Sequence, residues 1–130
     1  RRMIRAYKEA GARYVILHSD GNILPFLDML VDAGIDGLNP LERRAGMVAE
    51  TLRVRYPQLI LTGGMCNTQT LPGGTTAEIE AETRSLIDLG RDGGFIIGTH
   101  SVSPEIPLES FATYQRVCEE YGDFSSTGPA

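Results

Sequence analysis

The chain has 130 residues, 42% of them hydrophobic and 22% charged, so it is long enough for one globular domain with a substantial core. Its net charge of −5 argues against a nucleic-acid-binding surface, and no apolar run approaches the roughly 20 residues of a membrane span. No signal peptide is visible, and Cys66 and Cys118 follow no paired spacing, so we expect free thiols in a reducing, cytoplasmic compartment.

The first half of the chain alternates amphipathic stretches with short apolar runs. Residues 14–17 are apolar or β-branched without any charge, as in a strand that is buried on both faces. Asn22 is a candidate helix cap, and Pro25 falls in the first helical turn, where proline is tolerated. In order, we predict a helix ending near Gly11, a strand over 14–17, a helix over 22–34, a strand over 35–38 and a helix over 41–56.

The second half repeats this alternation. Thr75 and Glu78 form the S/T-x-x-E pattern of a capping box, which predicts a helix start. Residues 72–74, Pro-Gly-Gly, predict a loop before it. In order, we predict a strand over 59–62, a helix from Thr75 to Gly90, a strand over 95–97 and a helix after Pro107.

A helix followed by four strand–helix units predicts an α/β fold with a parallel sheet and right-handed crossovers. Four units fit either a small open sheet or half of an eight-unit (β/α)8 TIM barrel. The chain does not begin with Met, and Arg1 to Tyr7 already has helical character, so we interpret it as a fragment. This interpretation favours the C-terminal half of a barrel over residues 1–123, with residues 124–130 as a mobile tail.

Polar side chains follow each predicted strand. His18 and Asp20 follow the first strand, and Asn39 follows the second. Cys66 and Asn67 follow the third strand and His100 the fourth, so both histidines of the chain lie just past a strand. Because α/β enzymes build their sites at the carboxyl ends of parallel strands, we expect these residues to share a pocket.

Several chemical roles are open for these residues. His18 and His100 can act as metal ligands or proton donors, since imidazole titrates near neutral pH. Asp20 can ligate a metal, orient a histidine or accept a substrate N–H, and Cys66 can be a soft ligand. Structural roles compete with these: the histidines as hydrogen-bonding groups, Asp20 as part of a turn and helix cap, and Cys66 as a small buried filler.

Other polar features invite a structural interpretation. The Arg43–Arg44 pair near the start of the predicted third helix is typical of a solvated surface, because cations there gain nothing from the helix dipole. The Gly-Gly pairs match no phosphate-binding loop spacing.

Five motifs in chain order resemble the C-terminal part of the uroporphyrinogen decarboxylase (URO-D) family, and together they span nearly the whole chain. The resemblance implies a (β/α)8 barrel with its pocket at the strand carboxyl ends. It does not specify one reaction. The motifs are His18–Asn22, Gly34–Pro40, Leu61–Met65, Gly94–Ile97 with His100, and Glu119–Gly122.

Decarboxylases of this family remove carboxyl groups from the acetate side chains of a tetrapyrrole in porphyrin biosynthesis, without a cofactor. The resemblance implies a lyase reaction on a tetrapyrrole or another small molecule. His100 matches a pocket histidine after the last strand, and with His18 it is our candidate catalytic residue, while Asp20, Asn39 and Asn67 are candidates for substrate binding. The family's essential aspartate and propionate-binding arginines belong to its N-terminal half and have no counterpart here.

The related zinc-dependent, corrinoid-linked methyltransferases carry His-x-Cys and a later Cys. Here His18-x-Asp20 keeps the histidine and replaces the first cysteine, and His100 stands in place of the later one. The resemblance implies a zinc site of His18, Asp20 and His100 in this alternative, harder in character than a thiolate site. Cys66 matches neither family cysteine.

A third alternative is a half-barrel that is not catalytic by itself and completes a partner chain. Open edge strands on both sides of such a half-barrel favour self-association. In every alternative we expect neither a nucleic-acid nor a membrane partner.

Overall fold

A computed structural model describes residues 1–123, and the predicted tail lies outside these residues. The helices and strands alternate as predicted. None of the helices within this range has both the length and the apolar character that a membrane span needs. The elements are α1 (Arg2–Glu9), β1 (Ile16–His18), α2 (Leu24–Ala33), β2 (Gly37–Asn39), α3 (Ala49–Arg55), β3 (Ile60–Met65), α4 (Thr70–Gly73), α5 (Thr76–Leu89), β4 (Phe95–Thr99) and α6 (Leu108–Tyr121).

The four strands form one parallel sheet in the order β1-β2-β3-β4. The register aligns Leu17, Leu38, Leu61 and Phe95 in a row across all four strands. Each strand is joined to the next through helical structure, so strand order follows chain order as in a (β/α)8 barrel. The fold is therefore α/β with the architecture of half a TIM barrel, as the sequence predicts.

The core lies between the sheet and its helices. Leu38 and Leu61 are 1% and 0% exposed on the helix-covered face, and α5 packs against β3, β4 and α6. On β1 and β4, by contrast, the side chains of Ile16 and Ile96 are 40% and 54% exposed. Within residues 1–123, the sheet is thus covered on one face, although parallel sheets are usually buried on both.

The helix predicted over residues 41–56 is wrong in its first half. A single 3-10 turn at Arg43–Ala45 is followed by Gly46, whose φ of +91° interrupts helical geometry. The α-helix begins only at Ala49. The left-handed conformation at Gly46, which glycine adopts without steric cost, separates the two pieces.

The structure also corrects the connection between β3 and α5. Residues Thr70–Gly73 form the short helix α4 where a loop was predicted, and Leu71 is fully buried. The capping box of Thr75 and Glu78 is confirmed at the start of α5. Strands β3 and β4 run beyond their predicted ends, to Met65 and Thr99, and so reach closer to the polar residues that follow them.

Candidate functional site

The turn after β1 is fixed by two hydrogen bonds. The Gly21 N–H donates to Glu42 Oε2 at 2.5 Å, and the Leu24 N–H donates to Asn22 Oδ1 at 2.9 Å. Asn22 thus supplies a side-chain acceptor one residue before the cap position of α2, which is Ile23, and Asp20 does not cap the helix. The Asp20 carboxylate instead faces the two histidines.

His18, Asp20 and His100 form one cluster. Asp20 Oδ1 lies 3.2 Å from His100 Nε2 and 3.9 Å from His18 Nε2. The two imidazole rings are 6.1 Å apart, centroid to centroid, and tilted by 44°. Nitrogen and carboxylate donor atoms from all three residues lie within 4.8 Å of one another, and all three residues are exposed. The structure thus brings together the three residues that the sequence suggested as a set.

This cluster joins the two outer strands of the sheet. His18 ends β1 and His100 follows β4 directly, and two further strands separate them. At the usual strand spacing, β1 and β4 would lie about 14 Å apart in a flat sheet. Sheet curvature and side-chain reach together close this gap, so the cluster depends on the geometry of the whole sheet.

Asn39 and Asn67 lie at neighbouring strand ends. Asn39 is half-buried and pairs with His18 in the β1–β2 register, and its carbonyl accepts the Ser19 N–H at 3.0 Å. Asn67 donates from Nδ2 to Ser101 Oγ at 2.9 Å. This bond ties the segment after β3 to the segment after β4, beside His100.

A cavity of about 330 Å³ opens next to His100. Its walls come from the segment after β2, the end of β3 with the segment that follows it, and the first residue after β4. A larger depression of about 750 Å³ lies along α4 and α5 and includes neither histidine. The smaller cavity is lined by Leu41, Glu42, Arg43, Arg44, Ala45, Met65, Cys66, Asn67, Thr68 and His100.

Cys66 is half-buried in the wall of this cavity, and both cysteines carry free thiols. Burial raises the pKa of the Cys66 thiol, but hydrogen bonds from the Thr70, Thr68 and Gln69 backbone and from the Thr68 hydroxyl outweigh burial, so the pKa lies below its ordinary value. Cys66 does not belong to the donor cluster of His18, Asp20 and His100 found within residues 1–123.

The sequence interpretation missed the part played by residues 42–44. Glu42 holds the turn beside Asp20, and both arginines line the cavity although they were assigned to solvated surface. Both arginines are indeed exposed. The one available signal was their position after β2, where chemistry-bearing residues of α/β folds gather.

The model of the uroporphyrinogen decarboxylase (URO-D) family matches residues 1–121. The chain belongs to this family. The match covers the four parallel strands and every helix described above, and the sheet agrees with the barrel of URO-D proteins. Comparisons with curated proteins and with solved structures gave no match. As in other (β/α)8 proteins, the polar cluster of this URO-D chain lies at the carboxyl ends of the strands.

Proposed function

We propose that this chain forms part of a decarboxylase pocket in which His100 transfers a proton to the substrate, as the URO-D family suggests. One observation carries the proposal: His100 lies 3.2 Å from the Asp20 carboxylate and also lines the 330 Å³ cavity. One ring therefore touches both an orienting group and the space where a substrate would bind.

Decarboxylation breaks the bond between the carboxyl carbon and its neighbour and releases CO2. The electron pair stays on the neighbouring carbon, which must then accept a proton. A histidine can supply that proton near neutral pH, and the proton-transfer step needs its ring nitrogen within reach of that carbon, directly or through one water. Asp20 would position the ring, and His18 lies close enough to contact the same substrate.

The test is turnover of uroporphyrinogen by the wild-type chain and by His100→Ala and Asp20→Asn variants, with acetate-to-methyl conversion followed chromatographically. We expect His100→Ala to lower kcat by about 100-fold or more, the usual range for loss of a general acid. Asp92→Asn, an exposed change elsewhere, is the matched control. A His100→Ala chain with unchanged kcat would contradict the proposal.

A second candidate is the zinc-assisted methyl transfer of the corrinoid-linked enzymes. The convergence of three donor atoms within 4.8 Å favours it. Two imidazole nitrogens and one carboxylate oxygen are a common zinc donor set that leaves a fourth position open, so the residues present fit the metal. His18, Asp20 and His100 would hold zinc, which would supply Lewis-acid activation of an acceptor.

Metal content separates the two candidates. If zinc belongs here, equilibrium dialysis should give one equivalent per chain, and His18→Ala or His100→Ala should remove it. Cys66→Ala is the matched control, since this half-buried thiol lies outside the donor cluster. A wild-type chain without bound zinc, or zinc retained in His18→Ala, would rule out this candidate.

A further inference from the structure

The cavity beside His100 has an uneven distribution of charge. Glu42, Arg43 and Arg44 come from the segment after β2, and the other charged or titratable groups in the wall are Cys66 and His100. The partners of these groups decide whether the cavity presents a free charge.

Two of the three charged groups after β2 are engaged. Glu42 Oε2 accepts the Gly21 N–H at 2.5 Å, so this carboxylate is directed toward the turn after β1. Arg43 Nη2 donates to Glu50 Oε1 at 2.6 Å, and both side chains of this ion pair are 42% exposed. These contacts largely satisfy the charges of Glu42 and Arg43 within the protein.

Arg44 differs from Arg43. Over residues 1–123, the structure gives Arg44 no hydrogen bond and no ion pair, and the residue is exposed in the cavity wall. A guanidinium group presents five N–H donors in a planar fork that matches a carboxylate. Among the residues that the structure describes, Arg44 is therefore a cation of the cavity wall that is free to bind an anionic partner.

The remaining wall limits the size of a ligand. Asn67 contributes a side-chain amide that also donates to Ser101 Oγ, and backbone N–H groups of residues 68–70 are directed at the Cys66 sulfur. A volume of about 330 Å³ is at the lower end of ligand pockets, so it suits one substituent of a large substrate better than a whole macrocycle.

We propose that this cavity is a subsite for one carboxylate group of the substrate, with Arg44 as its cationic partner. The subsite deepens the proposed function and rests on it only for the kind of molecule that carries the carboxylate. A carboxylate bound by Arg44 would place the adjoining part of the molecule against His100, on the same cavity wall. Arg44 is thus a specificity residue, and its loss should raise KM more than it lowers kcat.

Titration with succinate, followed by NMR of the isotope-labelled chain, tests the subsite without turnover. We expect succinate to shift the amide signals of residues 44–45 and 66–68, and neutral succinamide to leave them unchanged. Arg44→Gln should weaken succinate binding about tenfold or more, the usual effect of losing a hydrogen bond to a charged group. Arg44→Lys keeps the charge but loses the planar fork of N–H donors. Its succinate affinity should lie between that of the wild-type chain and that of Arg44→Gln.

Arg2→Gln is the matched control, because it removes the same charge from an exposed position on α1, outside the cavity. Equal succinate affinity in Arg44→Gln and Arg2→Gln would overturn the subsite. Inorganic phosphate binding more tightly than succinate, with the same dependence on Arg44, would overturn its assignment to a carboxylate. Arg44-dependent succinate binding together with an unchanged kcat for uroporphyrinogen in His100→Ala would support the subsite and reject the decarboxylase proposal alone.

Discussion

Asp36 connects helix α1 to the start of β2. Its carboxylate accepts hydrogen bonds from Lys8 Nζ at 2.8 Å and from the Val15 N–H at 2.7 Å, and its side chain is 24% exposed. Burial raises the pKa of the Asp36 carboxyl, but the Lys8 and Val15 hydrogen bonds and the Lys8 charge outweigh burial. The pKa therefore lies below its ordinary value, so the charged form stabilises the fold.

Asp36→Asn should destabilise the chain by about 1–2 kcal/mol at pH 7, because it removes charge-assisted hydrogen bonds. A lowered pKa in the folded state gives stability that is present above the unfolded pKa of about 3.9 and is lost as pH falls through the folded pKa. Urea unfolding at pH 7 and at pH 3 measures the difference in unfolding free energy between the wild-type chain and Asp36→Asn. This difference should be smaller at pH 3. Asp92→Asn is the control, and a difference that is constant with pH would contradict the assignment.

The clustering of the candidate site residues was predictable from the sequence, because they follow the carboxyl ends of strands. His18, Asp20 and His100 follow β1 and β4, and parallel strands bring their carboxyl ends to one edge. Which of the two adjacent arginines is paired was not predictable: Glu50 pairs with Arg43, and the structure of residues 1–123 gives Arg44 no ion pair. Such a choice between two adjacent arginines depends on tertiary distances and not on local sequence.

At the scale of elements, helix α5 has the most complete start. The Thr75 hydroxyl accepts the Glu78 N–H at 3.3 Å, while the Glu78 carboxylate accepts the Thr75 N–H at 2.7 Å. These bonds satisfy two backbone donors that the first turn leaves open. Since α5 packs on both β3 and α6, its start affects the whole core.

Thr75→Ala should destabilise the chain by about 0.5–2 kcal/mol, the usual range for loss of an N-cap side chain. Thr76→Ala, at the first residue of the same helix, keeps the capping box and should change stability little. Thermal unfolding by circular dichroism compares the two variants. Equal loss of stability in both would show that the capping box contributes nothing here.

Strand β3 contains two consecutive glycines with positive φ, Gly63 at +107° and Gly64 at +97°. A Cβ atom at Gly64 would lie 2.8 Å from Leu86 Cδ2, in the core beneath α5. Gly93 also has a positive φ, +87°, but a Cβ atom there would meet no atom within 4 Å. The two positions share backbone strain and differ in packing.

Gly64→Ala should therefore be more harmful than Gly93→Ala. We expect about 1–2 kcal/mol from the left-handed backbone in both variants, and a further 1–3 kcal/mol from crowding against Leu86 in Gly64→Ala alone. The midpoint and slope of urea unfolding give the loss of unfolding free energy in each of the two variants. If Gly64→Ala were no less stable than Gly93→Ala, the packing argument would fail.

Hydrophobic periodicity predicted the main elements because each strand and long helix buries an apolar row or stripe. The row of Leu17, Leu38, Leu61 and Phe95 is such a signal. Periodicity did not predict the break between residues 45 and 49. Ala45, Val48 and Leu52 keep helical spacing across Gly46, whose backbone is not helical. Helix α4 was not predicted because the Pro-Gly-Gly sequence at its end is typical of a loop. The burial of Leu71 stabilises the helix in the folded chain.

At the scale of the whole molecule, the sheet has two open edges, β1 and β4. Ile16 and Ile96 on these strands are exposed on the face that the helices described here leave uncovered. Unpaired strand edges next to apolar surface favour association with another chain. We therefore predict that the chain self-associates.

Sedimentation velocity over a range of concentrations should show a mass that rises above 14.2 kDa as concentration increases. Ile96→Lys places a charge on the edge strand β4 and should shift the chain toward the monomer. Val54→Lys is the control, since Val54 is 84% exposed on α3, away from the edges. A strictly monomeric wild-type chain would contradict this prediction.

The placement of His18 and His100 at the carboxyl ends of the first and last strands has a thermodynamic consequence. A ligand held by both residues binds only when all four strands are in register, so its binding energy is linked to global unfolding rather than to local opening. A ligand at 100 times its Kd would add about 2.7 kcal/mol to the free energy of unfolding. Amide hydrogen exchange would then slow most at the centre of the sheet, in β2 and β3, on strands that neither histidine belongs to.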